Sequence, residues 1–204
     1  MFYMGLCLFF GPHGLMLIQP VRQRIQTFIP TALYLGLFSL MSLFGLGLIS
    51  AGYDPKFAIE APVLPWVGIL SPWLMFAAFF CLIAANVPGW TRYRVQHPMT
   101  LGVSLWALTH LAVNPDLHAW LMFGCFFILV VTSAMTASKR QKNKPKPAPR
   151  WIFDGLTLGL ASGLTFCVFT FHGVLFGLVM SLTCVMKKPI RPSSLRGLKP
   201  LSSG

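Results

Sequence analysis

The chain has 204 residues, of which 55% are hydrophobic and 10% are charged, and its mean hydropathy is +0.70. Ordinary soluble domains carry about 25% charged residues, so this composition excludes a soluble fold and predicts an all-α polytopic transmembrane helix bundle. Sixteen Lys and Arg against four Asp and Glu give a net charge of +12. These basic residues lie between apolar runs and in the tail, which is typical of topology signals and excludes a nucleic-acid-binding face.

Six apolar runs follow one another along the chain. They cover residues 1–18, 31–52, 65–87, 99–113, 119–137 and 156–186. A hydrocarbon core of about 30 Å takes roughly 20 residues to cross, which the second, third and fifth runs satisfy. The fourth run is short, so we expect it to lie inside the bundle or to cross a thinned bilayer. The first run has no basic segment before it and no cleavage site after it, so we expect it to stay as an anchor. The sequence therefore predicts six transmembrane helices.

The last run is longer than one crossing needs, and a basic tail follows it. A hairpin that turns near His172 and Gly173 would keep this tail inside and would make seven helices. Gly155, Gly159 and Gly163 recur every four residues, which is typical of close helix packing in membranes. The chain divides into a five-helix membrane core (1–137), a basic cytoplasmic loop (138–150), a C-terminal transmembrane helix or hairpin (151–188) and a flexible basic tail (189–204).

Lys and Arg residues predict the orientation of the bundle. Arg22 and Arg24 follow the first run, Arg92 and Arg94 follow the third, and the basic segment 139–150 follows the fifth. Because cytoplasmic loops are enriched in Lys and Arg, we expect a multi-pass membrane protein with its N-terminus outside. Residues 138–150 and the tail from Pro189 are expected to touch anionic lipid.

Templates for common enzymes are missing from the sequence. The four carboxylates lie near membrane boundaries, and no nucleophile elbow, Walker loop, H-E-x-x-H or dinucleotide fingerprint occurs. The five cysteines lie in apolar runs without metal-ligand spacing, so we interpret them as small buried hydrophobes. Hydrolysis and phosphoryl transfer are disfavoured, and any chemistry would need a cofactor.

Two histidines lie inside apolar runs, His13 in F-F-G-P-H-G and His110 in L-W-A-L-T-H-L. An imidazole in hydrocarbon is costly unless it meets a partner, so an intramembrane histidine indicates function, with an interhelical hydrogen bond as the structural alternative. In antiparallel helices their levels are predicted to differ by only about 6 Å. Two imidazoles at similar depth could ligate a haem iron from both faces.

Each of these histidines ends a stripe with a residue every fourth position. Gly5 and Phe9 precede His13, and Gly102 and Trp106 precede His110, so each set shares one helix face. We expect the glycines to leave room for a flat macrocycle and the aromatic residues to pack against it. Ordinary helix packing produces the same pattern.

The remaining polar candidates lie at the membrane boundaries. His97, before Pro98, could bond a lipid phosphate or a haem propionate, and Arg92 and Arg94 could pair with propionates. His118 mirrors His97 on the outer side, and for both we favour solvation at the interface.

Four stretches of the sequence carry a resemblance to a known family: F-F-G-P-H-G (9–14), V-P-G (87–89), the block from Q-H-P to N-P-D-L (96–117) and, at the last segment, F-H-G-V-L-F-G (171–177). They resemble motifs of the NnrU family of small bacterial membrane proteins, whose name links it to nitrite and nitric oxide reduction. The family is related to zeta-carotene isomerase, a haem b enzyme, and this resemblance implies His13 and His110 as axial ligands of haem b. The isomerase has a cysteine where this chain has Ala107, and its His- and Trp-containing stretch after the fifth span is replaced here by S-A-M-T-A-S-K-R.

The H-P stretch at residues 97–98 is also similar to one in membrane methyltransferases of the isoprenylcysteine type. Gln96 stands where those enzymes have arginine, and residues 120–150 lack their acidic residues, so this similarity is the weaker one. The leading hypothesis is a haem b protein with a nitrogen-oxide-related ligand or an apolar polyene and an unidentified redox partner. The alternative is a cofactor-free membrane accessory or assembly factor.

Overall fold

The computed structural model describes residues 1–53, 59, 63–141 and 148–176. The predicted tail (189–204), the end of the last apolar run and residues 142–147 of the basic loop 138–150 lie outside the described residues. The described chain is α-helical, as predicted. Its helices are α1 (Phe2–Leu17), α2 (Gln19–Phe28), α3 (Thr31–Gly52), α4 (Pro65–Ala84), α5 (Trp90–Arg94), α6 (Pro98–Val113), α7 (Leu117–Gln141) and α8 (Trp151–Phe176).

Proline and capping residues set several of these boundaries. Pro65 and Pro98 occupy the first turn of α4 and α6, where a missing N–H costs no hydrogen bond. Between α6 and α7, the Asn114 side chain donates to the His110 carbonyl at 2.9 Å, and Asp116 accepts from the Ala119 N–H at 2.8 Å. The N-P-D stretch therefore ends one helix and caps the next.

The helices pack side by side with alternating direction. α4 packs against both α6 and α8, α1 packs against α3, and α7 joins the two groups by packing against α6 and α1. Phe2, Tyr53 and His118 meet at one end, which we call the tyrosine end. At the other end, the Arg150 N–H donates to the Pro88 carbonyl, and we call this the basic end.

Two of the predicted stripe glycines bring helices together. A Cβ on Gly5 would lie 2.7 Å from the Ile49 nitrogen and 2.8 Å from the Gly45 oxygen of α3. A Cβ on Gly102 would lie 2.7 Å from the Ala78 oxygen of α4. The expectation that these glycines leave room for a macrocycle is therefore wrong, because neighbouring backbones fill that room.

The number of membrane crossings differs from the predicted six or seven. Four helices are long and apolar enough to cross, namely α3, α4, α7 and α8, and the bent pair of α1 and α2 would make a fifth. α6 is the short apolar helix that the sequence predicts, with 16 residues. Six or seven spans are not confirmed, because α1 and α6 are too short by themselves to be counted as crossings.

The last helix corrects two expectations. α8 continues through His172 to Phe176, so no hairpin turns at His172 and Gly173, and the chain beyond lies outside the described residues. Its glycine stripe makes no close contact either: within the described chain, a Cβ at any of the three positions would meet no atom within 4 Å. The buried face of α8 instead carries Thr157 and Ala161, and this helix packs against α4.

Candidate functional site

His13 lies on α1 among aromatic rings. Its Nδ1 is 2.7 Å from the carbonyl oxygen of Phe9, one turn earlier in the same helix. The imidazole stacks on the Phe9 ring at 4.3 Å between centroids, and Phe38 of α3 contacts it at 4.6 Å. Two phenyl rings therefore fix the orientation of this histidine.

His110 repeats this arrangement on α6. Its Nδ1 is 2.8 Å from the carbonyl oxygen of Trp106, again one turn earlier. The imidazole stacks on Phe123 of α7 at 4.4 Å and contacts Trp106 at 5.4 Å. Each predicted ligand therefore hydrogen-bonds to the carbonyl four residues earlier in its own helix and stacks on a phenyl ring.

The hydrogen bond at Nδ1 determines which nitrogen is available to a ligand. A carbonyl oxygen only accepts, so Nδ1 of each imidazole carries the proton and donates it. In the neutral ring the lone pair is then on Nε2. Metal-ligating histidines characteristically donate their other N–H to a carbonyl or carboxylate, which orients the ring and raises its basicity. The donor chemistry of His13 and His110 therefore fits axial ligation of a haem iron.

Phe126 of α7 connects the aromatic residues that precede the two histidines. Its ring contacts Phe9 at 5.2 Å and Trp106 at 5.1 Å, which places these three rings in one layer. His13 follows Phe9 by four residues toward the basic end, and His110 follows Trp106 by four residues toward the tyrosine end.

This register separates the two histidine Cα atoms by about 12 Å along the helix axes, twice the difference in level that the sequence predicts. Both rings turn back toward their own helix N-termini, as their Nδ1 bonds require, and so both approach the layer of Phe126. A shared iron stays a prediction.

The three other predicted cofactor-binding residues lie at the basic end. His97 is the N-cap of α6, about 20 Å along that helix from His110. Arg92 and Arg94 lie on α5 and are exposed, and the Arg94 guanidinium lies 4.4 Å from the centroid of the Trp90 ring. The structure therefore places them away from His110, and their pairing with propionates stays a prediction.

Asp154 connects α8 to this basic end and was not singled out from the sequence. Its carboxylate accepts from the backbone N–H groups of Trp90 and Thr91 at 2.6 and 3.0 Å, and from the Thr91 hydroxyl at 2.8 Å. A Cβ on Gly89 would lie 2.9 Å from both carboxylate oxygens. The glycine of the V-P-G motif is thus required for the close approach of Asp154.

A third histidine lies near the candidate site. His172 of α8 is close enough to His110 for an electrostatic interaction between the two imidazoles. Its Nδ1 atom is buried. The sequence left the role of His172 open, and the structure places its imidazole near that of His110.

No three His, Cys, Asp or Glu side chains are grouped as metal ligands among the residues that the structure describes. A bare ion held by protein side chains alone would need about four such ligands. A haem iron needs two at most, because the porphyrin supplies the other four.

A buried polar cluster at the tyrosine end was missed from the sequence. The Tyr53 hydroxyl donates to Asp116 at 2.8 Å, and the His118 ring packs on Phe2 at 4.2 Å. Asp116 is 6% exposed and His118 is 4% exposed. The expectation that His118 is solvated at the interface is wrong, because Phe2, Tyr3 and Tyr53 surround its ring.

This cluster predicts an unusual alkaline titration. Burial, the hydrogen bond to Asp116 and the charge of that carboxylate raise the pKa of Tyr53 above its ordinary value. The protonated phenol is the stabilised form, so its contribution to stability is complete below about pH 10 and is lost as pH rises through the higher folded-state value.

Among the four tyrosines, we expect Tyr53 to ionise last when phenolate absorbance is followed in detergent. Tyr53→Phe should remove this late component and leave the others. Loss of an early component instead would contradict the prediction.

Residues 1–180 match the family model described as NnrU protein. No curated protein and no solved structure matches the chain. The matched segment includes every described helix, both candidate histidines and the capping motif between α6 and α7, and it confirms the resemblance seen in the sequence motifs. The chain belongs to the NnrU family.

Proposed function

We propose that this NnrU-family membrane protein binds haem b through intramembrane histidines, with His13 and His110 as its axial ligands. The observation that carries the proposal is the matched hydrogen bonding of the two imidazoles. Each donates Nδ1–H to the carbonyl four residues earlier, at 2.7 and 2.8 Å, which leaves each Nε2 as a lone-pair donor.

The residues around the histidines would hold a flat, apolar macrocycle. Phe9, Trp106 and Phe123 offer aromatic faces, and Phe126 contacts both Phe9 and Trp106, the residues one turn before the two histidines. Haem, when bound, supplies a redox-active iron whose coordination can be changed by the loss of one axial ligand.

Two physiological roles accord with such a site in a bacterial inner membrane. One is nitrogen-oxide physiology, to which the family name points. The other is redox-dependent double-bond isomerisation of an apolar polyene. For the second role, an open groove between α4 and α8, lined by Trp73, Phe76, Phe166 and Phe169, offers an apolar surface on the outside of the helix bundle.

The alternative hypothesis, a cofactor-free accessory or assembly factor, predicts that the histidines form interhelical hydrogen bonds. The Nδ1 bonds of His13 and His110 are both within their own helices. Helix-to-helix contact by these rings is aromatic stacking on Phe38 and Phe123. An accessory protein without cofactor would use the imidazoles only as packing groups, which a glutamine or phenylalanine would replace without loss of function.

The proposal is tested by the absorption spectra of protein expressed with haem supplementation and purified in detergent. We expect a six-coordinate low-spin spectrum in the oxidised and dithionite-reduced wild type, with haem near one equivalent per chain. His110→Ala should reduce bound haem at least tenfold, and His13→Ala should do the same or leave a five-coordinate haem.

Two further variants identify the ligand pair. His172→Ala should retain the wild-type spectrum if His13 is the second ligand, and Phe126→Ala should retain or increase haem binding. His97→Ala serves as a control, because His97 lies about 20 Å from His110 along α6. A colourless wild type, or a wild-type spectrum in both His13→Ala and His110→Ala, would contradict the proposal.

A further inference from the structure

The short helix α2 has the composition of a helix that lies on a membrane surface. With about 100° between residues, Val21, Ile25 and Phe28 share one face, and Gln19, Gln23 and Gln26 occupy the opposite face. Arg22 and Arg24 flank the apolar face on its two sides. Long basic side chains at such positions can lie along the apolar surface and reach phosphate groups with their charged ends.

The bend between α1 and α2 sets the direction of this helix. The two axes meet at 99° across Ile18. α1 rises about 24 Å over its 16 residues, so if α1 runs along the membrane normal, α2 runs parallel to the bilayer plane. Pro20 in its first turn begins the new helix at this point.

No residue of α2 is fully buried by the part of the chain that the structure describes: Val21 and Ile25 are half-buried, and Phe28 is 77% exposed. A partly exposed apolar face beside exposed arginines is unfavourable in water, but it is suited to the boundary between headgroups and acyl chains. Arg92 and Arg94 are exposed at the same end of the bundle, so the positive charge of α2 continues on α5.

We propose that α2 is an interfacial helix that binds the anionic phospholipid surface, with Val21, Ile25 and Phe28 in the acyl boundary and Arg22 and Arg24 at phosphate groups. This surface is distinct from the histidine site and does not depend on haem. The occupant is lipid, because the 99° bend turns α2 across the axis of α1 at the end of the bundle and because the flanking charges of Arg22 and Arg24 are complementary to anionic headgroups.

Spin labels at single cysteines test this placement in full-length, otherwise cysteine-free protein, reconstituted in phosphatidylcholine vesicles with or without phosphatidylglycerol. Labels at residues 21, 25 and 28 should be accessible to oxygen, and labels at 23 and 26 should be accessible to a water-soluble nickel chelate. Nickel accessibility at every position would overturn the proposal. Shielding of residues 21, 25 and 28 from both reagents would also overturn it, because it would indicate a protein partner.

The role of the arginines is tested with Arg22→Gln/Arg24→Gln. Two basic residues at an anionic surface increase the ratio of membrane-bound to unbound α2 about 30-fold. In the wild-type sequence, we expect phosphatidylglycerol to increase the depth of the spin labels in the membrane. The variant should not show this increase. Gln23→Ala/Gln26→Ala is the matched control and should show it. Label depths that do not respond to phosphatidylglycerol in the wild-type sequence would overturn the assignment of anionic lipid.

Discussion

Gly5→Ala is expected to lower the free energy of unfolding by about 2 kcal/mol, because the new methyl group has no space. A Cβ at this position would lie 2.7 Å from the Ile49 nitrogen and 2.8 Å from the Gly45 oxygen. Both are backbone atoms of α3, so no side chain can move aside and the two helices must separate. Reversible unfolding by SDS in mixed micelles measures this loss.

Gly47→Ala is the matched control for this substitution. Gly47 lies on α3, the helix that Gly5 contacts, and a Cβ there would meet no described atom within 4 Å. Since alanine has a higher helix propensity than glycine, this variant should be as stable as the wild type or slightly more stable. Equal destabilisation by both substitutions would contradict the close packing of α1 on α3.

Asp116→Ala is expected to cost about 3 kcal/mol at the tyrosine end. The substitution removes the N-cap of α7, worth about 1 kcal/mol, and it deprives the Tyr53 hydroxyl of its acceptor, worth about 1–3 kcal/mol. Asp116 accepts from the Ala119 N–H and from Tyr53, both at 2.8 Å, and it is almost fully buried. The same unfolding assay measures the effect.

A double-mutant cycle separates the two contributions. Tyr53→Phe alone should cost about 1 kcal/mol, and adding it to Asp116→Ala should cost less than the sum, because the unpaired hydroxyl is then absent. Asp116→Asn retains an acceptor and should fall between the wild type and Asp116→Ala. Strict additivity would contradict the hydrogen bond between Tyr53 and Asp116.

Membrane helices with uniform apolar composition were predicted well from the sequence. The run 31–52 coincides with α3, and the run 99–113 differs from α6 by one residue. Hydropathy is sufficient there because polar residues mark each boundary. α2 was not predicted, because its ten residues are mostly polar and only its bend from α1 shows how its apolar face is used.

The candidate site was predicted in part. Sequence spacing identified His13 and His110 and their aromatic neighbours one turn earlier, because these relations lie within one helix. It did not identify Phe126, which joins the two stripes, or the contact of Tyr53 with Asp116 across 63 residues of sequence. Relations of this kind depend on the register between helices, which a single sequence does not specify.

The unknown register between helices also explains why the glycine spacing did not predict which glycines contact a neighbouring helix. Gly5 and Gly102 contact neighbouring backbones, whereas a Cβ at Gly155, Gly159 or Gly163 would meet no described atom within 4 Å, although all of these glycines belong to stripes with the same four-residue spacing. A four-residue repeat shows that small residues share a face. It does not show which face a neighbouring helix covers.

The ¹⁵N chemical shifts of the histidine rings, measured on cofactor-free protein in nanodiscs, test most directly whether His13 and His110 present an unprotonated Nε2. Substitution of each histidine by glutamine assigns its signals. We expect a protonated, pyrrole-type Nδ1 and an unprotonated, pyridine-type Nε2 for both residues, which is the less common neutral tautomer in water. A protonated Nε2 at both positions would contradict the carbonyl bonds at Nδ1 and remove the basis for axial ligation.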